Sequence, residues 1–505
     1  METTEDVSHQ AKLARVTSPS ASSSAEHVAG GDDLISGLFD DLLLQILELV
    51  AKECARDAMR TDALSRRWRG LWKRVPALHF DARPAFCSDG GAARFIELVD
   101  GALALRAESG DVRHREISMC GADNVLETLP FGIRAATRWI RYALQHRVTS
   151  FFFELYPVGH VYYRMRQNVA DKLVIALDEL PSSPKLETMS LRLVVSSDSR
   201  HHFARLLSPE SCPRLQKLRM ENIAGPNQLL LEAGVLLELT LVGMDLRSME
   251  FRTPNLRVLR VEGCFCVEAL TVSTLKLEEM VFLVNSCPHV NIVRGDLSHV
   301  RALDVTFNSH GGDDDVAHNA ASIYLLQHCS SVRVLTVDLG VRMIKGRLDI
   351  IKDRMPKFHH VTSLVVHVTS PENRHSHGPG VKSLLTRFNS LRYLSLQIII
   401  FRRPSMVGTK SLICDHPRQE WKSDDFSLAH LQEAEFRGLT GTECELQFLQ
   451  VVLASATNVQ KVLASFGTQY CLTTQRVDDF RRRLLGCGTW TRCRDACQSY
   501  EWRPC

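Results

Sequence analysis

Two apolar periodicities divide the chain. The first is helical. Residues 32–50 read DDLISGLFDDLLLQILELV. At 100° per residue, Leu42, Ile46 and Leu49 form one stripe, and Leu43, Leu47 and Val50 form a second about a quarter-turn away. Leu44 widens the arc, and only Asp41, Gln45 and Glu48 leave a polar strip. The spacing predicts a helix capped by Asp40 or Asp41 and running to about Ala51. Its apolar arc is wider than the ~100° that one core needs, so it has to be covered on two sides. The stretch ARDAMRTDALSRRWRGLWKRV predicts more helix, with Met59 beside Ala63, Leu64 beside Trp68, and Leu71 and Trp72 continuing the apolar side. A unit this small makes little core of its own. It gains most by packing its spare face on the rest of the chain or on another protein.

The second periodicity returns along the rest of the chain: apolar, two residues, apolar, one residue, apolar. It begins at Val148 (VTSFFF) and recurs at Leu186, Leu215, Leu236 (LLELTL), Leu256, Leu277, Val300, Val332, Val361 and Leu391 (LRYLSL). Weaker copies start at Leu431 and Val459. The steps range from 20 to 40 residues, mostly at or just beyond the ~20–29 period of leucine-rich repeats. Cys264, Asn285 and Asn308 stand eight residues after the first apolar position, where that repeat places Asn or Cys to satisfy the turn after the strand. Each copy supplies one short strand with two inward apolar residues. No copy can bury that face alone, so the pattern predicts a stacked solenoid with a parallel sheet on its concave face. Longer steps imply insertions, chiefly NSHGGDDDVAHN and TSPENRHSHGPG.

Period two then assigns the outward side chains. Arg219, Arg260 and Asp304 stand between inward positions, with Thr240, Val281, Thr336 and Val365 at equivalent places. Lys217, Glu238 and Glu279 flank them, as do Glu221, Glu262, Asp338, His367 and Tyr393. Solenoids use such surfaces to bind other molecules. Arg219, Arg260, Asp304, Lys217, Glu238 and Glu279 are therefore candidates for contact with a target. A face that only has to be soluble would carry a similar mixture.

Length and charge narrow the classes. A chain of 505 residues is too long for one compact core. A net charge of +3 gives no case for nucleic acid, and the basic cluster Arg66, Arg67, Arg69, Lys73, Arg74 reads as a solvated helix face. No run of about 18 apolar residues predicts a membrane span. The first thirty residues are Ser-rich, lack a signal peptide's apolar core, and are expected to be disordered. The 15 cysteines include no CxxC pair and read as reduced thiols of a cytoplasmic or nuclear protein. Asp313–Asp315 lacks calcium-loop spacing, and His375 and His377 read as solvated loop. No GxSxG, HExxH or GxxxxGK[ST] occurs, so no catalytic residues are expected, and nothing in the residues points to a metal or cofactor.

The N-terminal residues carry a resemblance. LISGLFDDLLLQILELV followed by TDALSRRWRGLWKRVPALHFD resembles an F-box, in the form found in plant F-box proteins with leucine-rich repeats. The matched features are Leu34, Leu38, DDLLLQIL, LSRRW and RVPALHFD. One departure is Phe39, where the family usually has proline. The segment CDHPRQEWKSDDFSLAHLQEAEFRGLTGTECELQFLQVVLASATNVQKVLASF is similar to the FBD-like part of the same family. The resemblance implies docking on a Skp-family adaptor, and through it on a cullin, with Leu34, Leu38, Phe39, Leu42, Ile46, Leu64, Trp68 and Leu71 at or near the interface.

The expected organisation is α/β. A disordered 1–30 precedes F-box helices at 31–80, then a linker and the first part of the repeat domain at 81–145. A leucine-rich-repeat solenoid follows at 146–410, FBD-like repeats at 411–470, and a C-terminal helix and tail at 471–505. The implied function is target recognition for a ubiquitin ligase by a non-catalytic subunit, with the target unspecified. The alternative is a protein-binding repeat scaffold whose N-terminal helices cap the solenoid.

Overall fold

The computed structural model describes residues 35–81, 91–107, 116–121, 125–155, 185–196, 210–224, 228–308, 319–340, 354–370, 377–400, 426–467 and 472–504, with short gaps at 36, 147, 245, 265–266, 285–288, 293–296, 487 and 494–497. Residues 1–30, Leu34, Asn285, Asp313–Asp315 and His375 lie outside the described residues.

The first helix, α1 (Asp40–Glu53), starts one residue before the expected run. Its cap is Phe39, in extended backbone with φ −70° and ψ 153°, and no side chain caps it. Asp40 and Asp41 therefore stand in the first turn, where their charge favours the positive end of the helix dipole. The next helix, α2 (Ala55–Arg60), is shorter than the pattern suggested. The chain continues through 3-10 turns at Thr61–Ala63 and Leu71–Arg74. Gly70 breaks it with φ +78°, a conformation that suits glycine. The Asp62 carboxylate fixes this break by accepting from Gly70 N at 2.7 Å and from the Trp72 indole at 3.1 Å. The α-helix has already ended at Arg60, so Leu64 and Trp68 do not share a face: one is exposed and the other buried.

All twelve repeat copies become strands, and each strand starts two residues after its first apolar position. Examples are β5 (Lys217–Ala224) after Leu215, β7 (Glu238–Val242) after Leu236, β9 (Val258–Glu262) after Leu256 and β11 (Glu279–Leu283) after Leu277. They join one 16-stranded sheet in chain order, parallel from β1 (Ala77–Asp81) to β18 (Lys461–Phe466). The architecture is mixed α/β with a large, mostly parallel sheet, consistent with a leucine-rich-repeat-like fold. Two strands precede the recognised copies. β1 lies in the close of the N-terminal motif, and β2 (Glu116–Gly121) pairs between β1 and β3 (Ser150–Leu155).

Step length decides what covers the back of the sheet. The shortest steps leave room for a second short strand and two turns. There β6 (Gln228–Glu232), β8 (Ser248–Arg252), β10 (Ala269–Ser273) and β12 (His289–Ile292) form their own four-stranded parallel sheet. Leu229, Leu231, Met249, Phe251, Leu270 and Val272 point from it into the core. The longer steps hold helices instead: Ala320–His328, His377–Leu385 and Glu443–Ala454. Cys264 stands in the turn after β9, early in one short step. It is fully buried, and its thiol lies 3.9 Å from Leu241 O of the preceding strand and 3.7 Å from Glu262 O. Burial pushes its pKa up to about 11, so it remains a neutral thiol.

The two ends are closed differently. At the front, α1 and α2 pack on β1, and buried Arg106 of α3 (Gly91–Ala107) donates to Val75 O at the junction. Burial lowers the Arg106 pKa to about 10, with Tyr142 acting in the opposite sense, so the cation persists at neutral pH. At the back, the expected helix is present at Thr474–Leu484, but the tail beyond it is a pair of strands. Ser499–Arg503 runs antiparallel to β18 and Thr489–Arg492 pairs antiparallel outside it, so the last parallel strand has no open edge. Arg481 of the helix sits 3.8 Å from the centre of the Tyr500 ring and holds this hairpin down.

A bulge in β17 (Glu433–Leu439) depends on Gly438, whose φ is +75°. A Cβ there would overlap the carbonyl oxygen of Ile398. Gly438→Ala should lower the thermal midpoint by several degrees, about 2 kcal/mol or more. Gly234→Ala has open space and no positive φ, and should change it little. Equal midpoints for the two variants would refute the strained-bulge account.

Candidate functional site

Two surfaces emerge from this frame. On α1 the two predicted stripes separate cleanly. Leu43, Leu47 and Ala51 are fully buried against the chain's own core. Leu42 is 43% exposed, Ile46 38% and Leu49 67%, and Phe39 at the cap is 79% exposed. The helix and its cap therefore present four large apolar side chains, and Leu64, after α2, is exposed as well. Single exposed apolar residues are ordinary, but a cluster on one helix is not.

Arg67 holds the turn beneath this surface. Its Nε donates to Asp40 Oδ1 at 3.0 Å, and its Nη2 donates to Leu38 O. Leu38 is half-buried on the core. Trp68 and Leu71, grouped by sequence with the interface residues, are each only 7% exposed and belong to the interior. They lie in the turns after α2 rather than on a continuing helix, in the same core as Leu43 and Leu47 of α1. Leu34 lies outside the described residues.

The second surface is the outward side of the large sheet. Strand register brings Ser190, Arg219, Thr240, Arg260, Val281 and Asp304 into one row, which continues through Thr336, Val365, Ser395 and Glu435. Lys217, Glu238 and Glu279 lie in the neighbouring row. The structure brings all six predicted charges to one face, and most of them pair with each other or with neighbours. Lys217 Nζ is 2.8 Å from Glu238 Oε1, Arg219 Nη2 is 2.9 Å from Glu221 Oε2, and Arg260 pairs with Glu279. Exposed pairs of this kind add little stability, but they set which charges remain for a partner.

Two polar clusters on this face come from register: the first joins the flanking positions Asp338 and His367, and the second joins Tyr393 to Ser395, Glu435 and Arg437. Asp338 Oδ1 and His367 Nδ1 face each other across adjacent strands at 2.6 Å. This hydrogen bond and the Asp338 charge raise the His367 pKa against the opposing effect of burial, with Asp304 adding to the rise. Burial raises the Asp304 carboxyl, although a hydrogen bond from Thr336 and the charge of Arg260 oppose it. In the second cluster, Glu435 is nearly buried. It accepts from Tyr393 Oη at 2.6 Å, Arg437 Nε at 2.7 Å and Ser395 Oγ at 3.4 Å. Burial alone would raise the Glu435 pKa, but these donors bring it below the usual carboxylate value. Period two marked the strands; pairing across 29 or 42 residues could not be read from it.

Among the described residues no three His, Cys, Asp or Glu side chains gather as a metal site, and no helix is long and apolar enough to cross a membrane. What the two surfaces can do chemically is bind: one through exposed apolar side chains, the other through polar and charged ones.

No family model matches the chain. It is 31% identical over 245 residues to an F-box/LRR-repeat protein of Arabidopsis thaliana, covering 44% of this chain and 48% of that protein. A second F-box/LRR-repeat protein of the same plant is 29% identical over 360 residues, covering 66% and 71%. An F-box/FBD/LRR-repeat protein, also from Arabidopsis thaliana, is 54% identical over 50 residues, 10% of each chain. The chain thus spans about half the length of the first relative and about seven tenths of the second. Several F-box/LRR-repeat and F-box/FBD/LRR-repeat proteins of Arabidopsis thaliana are homologues of the chain at 27–31% identity, which supports the plant F-box/leucine-rich-repeat family.

His367 gives a test of the sheet face. Its raised folded-state pKa means that its pairing with Asp338 stabilises the fold fully below the unfolded value near 6.5 and fades as pH rises through the higher folded value. The stability advantage of wild type over His367→Gln should therefore be largest below about pH 6.5 and shrink above it. Denaturant midpoints measured across pH would contradict this if the difference were flat or grew with pH.

Proposed function

We propose that the chain is the target-recognition subunit of a Skp–cullin–F-box ubiquitin ligase. On this reading the helices of residues 31–80 dock on a Skp-family adaptor. The sheet is the inner face of a leucine-rich-repeat solenoid, and it holds a target protein for ubiquitin transfer. The chain itself performs no chemistry. Its contribution is proximity, which raises the local concentration of target lysines near the ubiquitin-conjugating enzyme.

The observation that carries the reading is the two-sided helix α1. One stripe is spent on the chain's own core, while Leu42, Ile46 and Leu49, with Phe39 and Leu64, stay accessible. A helix that only capped the sheet would need the first stripe and could be polar on the second. Homology adds weight, since the relatives carry F-box in their names.

A second reading has its own observation. The N-terminal helices pack on β1, the first strand of the sheet, and so also serve as an end cap. A protein-binding scaffold without any ligase would need only that. Removal of residues 1–76 distinguishes the two. Aggregation of the remainder, with no adaptor bound by the intact chain, would favour the scaffold.

Co-purification with a Skp-family adaptor is the direct test. Leu42→Asp with Ile46→Asp should abolish a complex that wild type forms, because each exposed anchor contributes roughly 1–3 kcal/mol. The thermal midpoint should hardly move. Leu47→Ala should instead cost about 2–5 kcal/mol of stability. Failure of wild type to bind, or full binding by the double aspartate variant, removes the adaptor reading.

Phe39→Pro probes the family departure. The φ of −70° at Phe39 already suits proline, so the fold should tolerate the change. Adaptor binding should tighten. Weaker binding would mean that the exposed ring is itself a contact.

A further inference from the structure

The edge of the large sheet where its later strands begin has an unusual charge. Six segments lead into the strands from Ala302 to Phe466: residues 297–301, 327–333, 354–362, 386–392, 426–432 and 454–460. They contain Arg301, Arg333, Arg354, Lys357, Arg387 and Arg392, and not one Asp or Glu. The whole chain, by contrast, has 61 Lys and Arg against 58 Asp and Glu. The imbalance is therefore local.

The backbone sets these positions in a row. Arg333 N donates to Arg301 O at 2.9 Å, Thr362 N to Arg333 O at 2.9 Å, and Arg392 N to Thr362 O at 2.8 Å. Gln432 N then donates to Arg392 O, and Gln460 N to Gln432 O, each at 2.8 Å. The row advances one residue per strand, about 4.8 Å each, so from Arg301 to Gln460 it spans roughly 24 Å. Arg301, Arg333 and Arg392 are exposed. Arg301 lies in the field of Glu278, the residue before it in the row, while Arg333 and Arg392 have no ion-pair partner within 4.0 Å among the described residues. The preceding step ends differently: there Arg257 is neutralised by Glu278, bidentate at 3.0 and 2.8 Å. Beyond Glu278 and Arg301, no carboxylate pairs with Arg333 or Arg392 of the row among the described residues.

The far end of the row opens into a cleft of about 430 Å³, lined by Arg392, His430, Gln432, Asn458, Val459 and Gln460. Apart from Val459, these side chains offer N–H groups, and none is a carboxylate. A row of cations leading to a donor-lined cleft fits an extended anionic chain.

We propose that this edge binds an acidic peptide segment of a partner protein, extended along the row, with side-chain anions opposite Arg301, Arg333 and Arg392. About seven extended residues cover the span, at ~3.4 Å each. The anions are carboxylates or phosphates, whose recognition by guanidinium is the same. Nucleic acid fits less well. Phe358 and Phe388 are buried and stacked on each other at 5.3 Å, Phe426 is partly buried on the core, and the Tyr393 hydroxyl is held by Glu435, so no fully exposed Phe or Tyr ring is offered to bases. The inference rests on the target-binding role proposed above and specifies its chemistry. It needs neither adaptor nor ligase.

The test uses the full chain and fluorescence anisotropy at low salt. The probes are an oligoglutamate peptide of about nine residues, a phosphoserine-containing peptide of equal length, oligolysine, and oligothymidylate. At least one anionic peptide should bind, oligolysine should not, and added salt should weaken binding. Arg333→Glu with Arg392→Glu should weaken it on the order of tenfold or more. Arg333→Gln with Arg392→Gln should lose less, which separates charge from misfolding. Arg60→Glu with Arg247→Glu makes the same change in net charge elsewhere and should bind as wild type. The proposal is overturned if neither anionic peptide binds, if the control pair loses as much, or if oligothymidylate binds more tightly through the same arginines. Adaptor co-purification should be unchanged in the Arg333/Arg392 variants, so failure here and failure of the ligase reading are distinguishable.

Discussion

No strand of this sheet can bury its own apolar residues. Leu239 and Leu241, or Leu259 and Val261, are completely covered only because similar pairs stand one strand away on each side and a second layer lies behind. The parallel ladder and this shared burial are one constraint. Each strand begins with a hydrogen bond to the residue before its neighbour, as Val258 N to Leu237 O at 3.0 Å, which locks register. With register locked, every outward position falls into a row. Both the polar clusters of the face and the basic edge are consequences of that alignment. In such an array stability is a sum of neighbour terms, so the ends have to be closed by something else.

The chain closes them with unlike devices, and this explains which parts of the fold were legible in the sequence. Twelve strands could be placed to the residue, because the first buried apolar position fixes where each begins. β1 carries the same pattern, Val75, Leu78 and Phe80, but hides inside the N-terminal motif, where its residues had already been assigned a role. β2 was invisible because His114 stands where the first apolar residue should be. The second sheet was missed for another reason. Its strands carry only two inward residues each, such as Leu229 and Leu231, and two alternating positions are too few to separate a strand from a turn. The C-terminal hairpin pairs antiparallel, outside the repeat rule altogether.

The candidate surfaces were legible to different depths. Helical phase alone separated Leu42, Ile46 and Leu49 from Leu43 and Leu47, because 100° per residue is a property of the backbone. Trp68 and Leu71, placed at or near the interface by resemblance, are buried: α2 ends at Arg60, and phase carries no information through the turns that follow. On the sheet, outward residues were identified from period two, but their mutual neutralisation was not. Whether Lys217 is a free cation depends on Glu238, on the next strand of the sheet, being in register with it. Charge on a repeat surface is a property of neighbouring copies rather than of any one.

This is also why the two sides of the molecule should differ in what they recognise. On the outward face of the early strands, cations and anions alternate between neighbours and cancel: Lys217 with Glu238, Arg260 with Glu279. Such a face presents shape and hydrogen bonds and little net field. From Arg301 onward the strand entrances contain cations and no Asp or Glu, and Arg333 and Arg392 of the row have no ion pair among the described residues. Longer steps are the structural correlate. The short steps set a two-strand unit against its neighbour with little surface to spare. The longer ones carry helices behind the sheet and extended entrances in front, such as residues 354–362. Extra length relaxes the requirement that every entrance residue serve the stack, and the composition of those entrances is then open to be set by a partner.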